Sequence, residues 1–249
     1  MIDVACVCVG NKYIPEVHVK QLYFAVKQHL RIPFRFNVIT DQPDHPFYST
    51  IECRTLAIPD IDLQGQNLWW YKPYLFSTQF KGSILYFDLD VVIVNDVTKF
   101  TEYSSKFCIC QDFNRRWIKD YAVSNSSIMY WHAPDYYDVW DRFASNSKDI
   151  IRKFRGDQDY ITDYFKTRDD LQWWPEQWAM SFKWEIFRGG LIKAGTGLDK
   201  QGNWPAEEDS YAYPDQPWIV PNDCSVVVFH GTPDPWETDF GKQNLIPNI

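Results

Sequence analysis

Residues 2–9 read IDVACVCV, an apolar run that fits a β-strand covered on both faces better than one with a solvated side. Gly10-Asn11 breaks it. Pro15 then opens a stretch, 16–30, where Val19, Leu22, Tyr23, Val26 and Leu30 recur at helical spacing. Phe34–Thr40 is a second strand-like run, closed by Asp41. Strand, helix and strand in that order imply a parallel pair, so the chain opens as an α/β protein.

The pattern continues in the same style. Residues 51–58 read as a short third strand, and 67–80 as an aromatic helix with Pro73 in its first turn or at a kink. Residues 83–87 form a buried strand, Asp88-Leu89-Asp90 follows, and 91–94 are apolar again. Residues 107–110 and 122–131 read as strands, the latter leading to a helix near Pro134, and 158–165 are amphipathic. Residues 189–217 carry many Gly, Pro, Asp and Glu and read as loop. A last strand returns at 225–229, and the tail, 237–249, reads as a surface wrap. No linker divides the chain, so one domain over 1–249 is expected, in two parts, 1–95 and 96–249, the latter ending in the wrap.

A net charge of −8 disfavours nucleic acid as a partner, although a divalent cation lets an acidic protein bind a diphosphate. Aromatics reach 18%, with 12 Trp, which serve a core and also suit the C–H faces of sugars. The six cysteines include Cys6/Cys8 and Cys108/Cys110 in strand-like runs, read as buried thiols rather than a zinc knuckle. No apolar stretch reaches the length of a membrane span, and the opening residues lack a signal-peptide pattern. A cytoplasmic, reducing setting is expected.

Four constellations carry chemistry. Asp88 and Asp90 alternate with Leu89, so both carboxylates can face one way at a strand end while Leu89 packs inward. A cation between them relieves their repulsion; the competing reading is an acidic turn that caps backbone N–H groups. His230 follows the last strand on a turn of Gly and two prolines, either as a metal ligand or as a structural histidine. Gly156-Asp157-Gln158 stands at a helix start, where Asp157 is an N-cap or, with Gln158, a partner for sugar hydroxyls. Asn125-Ser126-Ser127 interrupts an apolar strand with small polar residues, the mark of a close approach by ligand or backbone.

Taken in order, these motifs resemble glycosyltransferases of the GT-A fold, most closely the glycogenin-like family 8 group and its small bacterial and phage relatives. The likeness runs from Gly10-Asn11-Lys12-Tyr13 through Trp70-Tyr71-Lys72, the Asp88–Asp90 motif, Asn125-Ser126-Ser127 and Gly156-Asp157-Gln158 to the His230–Trp236 segment. The resemblance implies a mostly parallel central sheet flanked by helices. It implies Mn²⁺ or Mg²⁺ on Asp88, Asp90 and His230, bridging the diphosphate of a nucleotide-sugar donor, a UDP-sugar in the favoured case. Val9, Gly10, Asn11, Tyr13 and Leu89 would line the nucleoside side, with Asp41 at base or ribose and Lys72 at phosphate or sugar. Asn125, Asp157 and Gln158 would meet the donor sugar as the catalytic candidates. A retaining transfer to a glycan, lipid-linked or protein acceptor is implied.

One position departs from the pattern: Asp234 stands where these enzymes carry a lysine that pairs with the leaving diphosphate, a task open to Lys242 or an arginine. That departure keeps a non-catalytic carbohydrate-binding protein in view. A phosphohydrolase using Asp88 as nucleophile is a further alternative, although such enzymes place the motif after the first strand. Trp173, Trp174, Trp178 and Trp184, with the segment from Trp204 to Trp218, are either acceptor cleft or core, with core favoured for most.

Overall fold

The computed structural model describes residues 1–63, 65–116, 118–187 and 218–245. Its main body is a seven-stranded sheet in the order β3-β2-β1-β4-β7-β6-β8. The strands are β1 (Ile2–Cys8), β2 (Phe34–Thr40), β3 (Cys53–Ala57), β4 (Ser83–Phe87), β6 (Phe107–Gln111), β7 (Ser124–His132) and β8 (Leu171–Trp173). β1 pairs in parallel with both β2 and β4, and β2 with β3. β7 runs antiparallel between β4 and β6, and β8 is again parallel to β6. This is the mostly parallel α/β sheet expected from the sequence.

The unbroken apolar character of β1 has a direct cause. Val4, Cys6 and Cys8 join a cluster with Leu22, Tyr23 and Val26 of helix α1 (Lys20–His29). Ala5 faces the other way, into a cluster built on helices α2 (Tyr137–Lys153) and α3 (Asp157–Lys166). Alternation along the strand therefore feeds two cores, one on each face. The aromatic surplus goes mainly into the second: Trp131 stacks on Phe76 at 4.5 Å, and Trp70 on Phe143 at 5.7 Å. Trp174 is buried, and Trp178 stacks on it at 6.4 Å, as core residues do. All six cysteines are free thiols, five buried and Cys53 half-buried.

Three features differ from the sequence reading. The aromatic helix read over 67–80 is shorter, Leu68–Phe76, and of the 3₁₀ type; Pro73 lies inside it rather than in its first turn, and has no N–H to give the ladder. Leaving the turn at Asp88–Asp90, the chain starts a second sheet. β5 (Val91–Ile93), β10 (Val226–Val228) and β9 (Ala179–Ser181) lie in the order β5-β10-β9, with β10 antiparallel to β5 and parallel to β9. The tail is more than a wrap, since helix α4 (Asp239–Asn244) buries Phe240 against Phe182 and Phe229 under that sheet. The expected loop at 189–217, with Trp204, lies outside the described residues; Trp218 packs edge-on against Phe240. No helix among the described residues is long and apolar enough to cross a membrane.

Candidate active site

Topology gathers the motifs at one sheet edge. β1, β2 and β4 are parallel, so their carboxyl ends, and the residues that follow, share that edge. β7 is antiparallel to β4 with Phe87 opposite Ile128, so Asn125-Ser126-Ser127 lies at the same end. The ladder continues one residue further, where the Asp88 N–H donates to the Ser127 carbonyl at 2.9 Å. In the second sheet Val228 pairs with Val91, which carries His230 back toward Leu89-Asp90. A cleft of about 700 Å³ opens here.

Ten of the anticipated residues line that cleft: Val9, Tyr13, Lys72, Asp88, Leu89, Asp90, Asn125, Asp157, Gln158 and His230; Lys12, the neighbour of Tyr13, joins them. Gly10, Asn11 and Asp41 do not. The Gly10 N–H instead donates to Asp41 Oδ2 at 3.1 Å, tying the loop after β1 to the end of β2. Gly10 has φ +74°, and a Cβ there would lie 2.4 Å from Leu68 Cδ1, so glycine is required on both grounds. As expected, Leu89 packs inward, 6% exposed, between two carboxylates that face the cleft.

The carboxylates are held by cations and hydroxyls from several elements. Lys72 Nζ lies 2.8 Å from Asp88 and 3.7 Å from Asp157, and donates to Ser126 Oγ at 3.0 Å. The Tyr86 hydroxyl donates to Asp88, and Ser126 Oγ to Asp157 Oδ2 at 2.7 Å. Burial alone would pull the Lys72 pKa down; the charges of Asp157 and Asp88 outweigh it and hold the ammonium above its ordinary value. Asp157 is pushed up by burial against the pull of Lys72 and Ser126. The N-cap of α3 is Gly156, so Asp157 turns into this network rather than capping the helix.

Asp90 has a different set of partners. The Tyr13 hydroxyl donates to it at 2.8 Å, and Lys12 Nζ lies 3.2 Å away. The same Lys12 Nζ is 3.0 Å from Asp234. Burial, then the charge of Asp88, push the Asp90 pKa up to about 6 despite Lys12 and Tyr13. This is a carboxylate whose charge the protein leaves incompletely compensated.

His230 lies in the cleft wall, but its Nε2 is 2.8 Å from Ser181 Oγ, and its ring stacks on Phe113 at 5.1 Å. Burial, then the nearby charges of Lys183 and Arg115, hold its pKa well below the ordinary value, which keeps the imidazole neutral. Among the described residues, no three His, Cys, Asp or Glu side chains stand close enough together to hold a metal ion. Asp88, Asp90 and His230 thus share one cleft without forming a ready-made cage.

Several contacts around the site had no sequence signal. Lys12 and Asp234 meet only because the first and last segments converge, and Ser181 only because β9 joins β10. Lys242 lies at an exposed position 3.9 Å from Asp239 and does not line the cleft. Behind Gly231, which does, Lys183 Nζ lies 3.4 Å from the point a Cβ would occupy.

No protein-family model and no curated protein sequence matches the chain. Solved structures do. An active-site mutant of LgtC superposes with a TM-score of 0.61 at 12% identity, covering 97% of this chain and 93% of that one. The galactosyltransferase LgtC in complex with donor and acceptor sugar analogues gives 0.58 at 13% identity, with the same coverage. The fold is that of these glycosyltransferases. The glycosyltransferase GlyE of Streptococcus pneumoniae TIGR4 is similar over 95% of this chain, with a TM-score of 0.60 at 12% identity, and this chain spans 57% of it.

Proposed function

We propose that the chain transfers a sugar from a nucleotide-diphosphate donor, a UDP-sugar in the favoured case, to a hydroxyl acceptor, with Mn²⁺ or Mg²⁺ at Asp88 and Asp90. The charge balance of the cleft carries this reading. Five aspartates line it, Asp88, Asp90, Asp112, Asp157 and Asp159, against Lys12, Lys72 and Arg155. Each of the three cations already pairs with a carboxylate. Like charges near 4 Å repel by about 4 kcal/mol at an effective dielectric of 20, so a bare diphosphate is disfavoured here. A divalent cation reverses that sign.

The donor set suits such an ion. Two carboxylates, one of them poorly compensated, are hard oxygen ligands. His230 is a neutral imidazole, and a Ser181 partner on one ring nitrogen would orient the other toward a metal. When bound, the ion supplies Lewis-acid stabilisation of the leaving diphosphate. The protein's own part is to position. Lys72 fixes Asp88 and Asp157 together, linking the cation site to the place where Asn125, Asp157 and Gln158 would hold the donor sugar. We assign retention of anomeric configuration and the glycogenin-like group on motif order alone.

The test is nucleotide release from UDP-, GDP-, dTDP- and CDP-sugars with Mn²⁺, for the wild type and Asp90→Ala. The wild type should turn over at least one donor, and the variant should lose that turnover while keeping a native circular dichroism spectrum. Undiminished turnover in Asp90→Ala counts against the assignment. Phosphate release from simple esters, with no nucleotide-sugar turnover, would favour the phosphohydrolase instead.

A further inference from the structure

Trp69 is the exposed tryptophan among those described, with 42% of its surface accessible, and it forms part of the cleft wall. Its neighbour Trp70 is 2% exposed and stacks on Phe143, whereas Trp69 makes no ring pair or hydrogen bond among the described residues. An aromatic face set beside a few polar groups in a cleft is the usual lining of a ligand pocket. Two contacts fix its place. A Cβ at Gly156 would lie 3.4 Å from Trp69 Nε1, so the indole edge runs along the backbone that leads into Asp157 and Gln158. On the other side Leu68, itself 44% exposed, covers Gly10. The 3₁₀ helix holds both side chains along the cleft, and Lys72, from the same helix, holds Asp88 and Asp157.

We propose that Trp69 is the platform on which a pyranose ring stacks in this cleft, an inference that rests on the function proposed above. The chemistry is specific. A flat indole matches the apolar C–H face of a sugar ring, while carboxylate, amide and guanidinium groups reach its hydroxyls. Gln158, Asp159, Arg155 and Asn114 line the same cleft and supply those groups. Two sources could present the ring: the sugar carried by the donor, or a saccharide acceptor.

The test uses the full chain with Trp69→Ala and Trp69→Phe, each checked for native thermal unfolding. Labelling with 5-fluorotryptophan gives a ¹⁹F spectrum in which the resonance missing from Trp69→Phe belongs to Trp69. The protein is titrated with nucleotide-sugars plus Mn²⁺, and separately with lactose, maltose and cellobiose. The Trp69 resonance should move with at least one of them. In Trp69→Ala, KM should rise about tenfold, for the donor if the transferred sugar stacks or for the saccharide if the acceptor does, with Trp69→Phe in between. The affinity for the matching nucleoside diphosphate should not change. A resonance unmoved by every sugar, or both KM values unchanged in Trp69→Ala, overturns the platform. A wild type without donor turnover, whose Trp69 signal still moves with free saccharide, leaves the platform standing and removes the transferase reading.

Discussion

Replacing Lys72 by Met should destabilise the protein by about 3–5 kcal/mol, the range for removing one member of a buried ion pair. Lys72, Asp88 and Asp157 have side-chain exposures of 10%, 20% and 7%, so the surface range of about 0–1 kcal/mol does not apply. Each attraction is large in gross terms, about 4 kcal/mol near 4 Å at an effective dielectric of 20, but desolvation of all three ions offsets most of it. Without the ammonium, both carboxylates keep their burial and lose their shared counter-charge. Methionine fills much of the space of the lysine stem, so the loss reports charge more than cavity. Urea unfolding with EDTA present is the assay. With an m-value of roughly 3 kcal/mol/M, the midpoint should fall by about 1–1.7 M while m is unchanged. A loss below about 1 kcal/mol would show that Asp88 and Asp157 do not depend on Lys72, and the link between cation site and sugar site would fall with it.

Two further outcomes follow from particular contacts. Burial pushes the Lys183 pKa down to about 8, so the folded state sheds this proton before the unfolded state does. The resulting penalty is fully present below about 8 and is relieved as pH rises toward the ordinary lysine value. Lys183→Met should therefore gain stability over wild type at pH 7, with the gap narrowing by pH 10 in thermal unfolding; a gap independent of pH would refute the assignment. A Cβ on Gly241 would meet the Pro235 carbonyl oxygen at 1.9 Å and its carbon at 2.5 Å, both backbone atoms. Gly241→Ala should lose about 3 kcal/mol, lowering Tm by roughly 8 °C, and an unchanged Tm would contradict the packing of α4.

How much could be read from the chain depended on how local each signal was. β2 and β4 fall on the runs read for them, Phe34–Thr40 and Ser83–Phe87: β4 is apolar from Ile84 to Phe87 because both its faces are covered, and β2 stands out by Phe36, Val38 and Ile39, all buried around a buried Asn37. The Asp88-Leu89-Asp90 alternation was likewise visible, with Leu89 buried as read, although these residues form a turn after β4 rather than a continuation of the strand. The second sheet was not, because β5, β9 and β10 are three-residue strands whose pairing is wholly non-local. For the same reason the departure at Asp234 looked like a missing positive charge. In the fold that carboxylate faces Lys12, so a cation still reaches this end of the cleft, from the opposite end of the chain. Trp69 and Trp70 are adjacent and chemically identical, and only tertiary packing separates the exposed ring from the buried one.

Isothermal titration of UDP, with GDP, dTDP and CDP as alternatives, examines the acidic cleft most directly, in Mn²⁺ and again in EDTA. At least one nucleoside diphosphate should bind in Mn²⁺ and lose measurable affinity in EDTA. Equal affinity in both buffers, or no binding of any of the four with the cation present, would contradict a diphosphate site completed by metal.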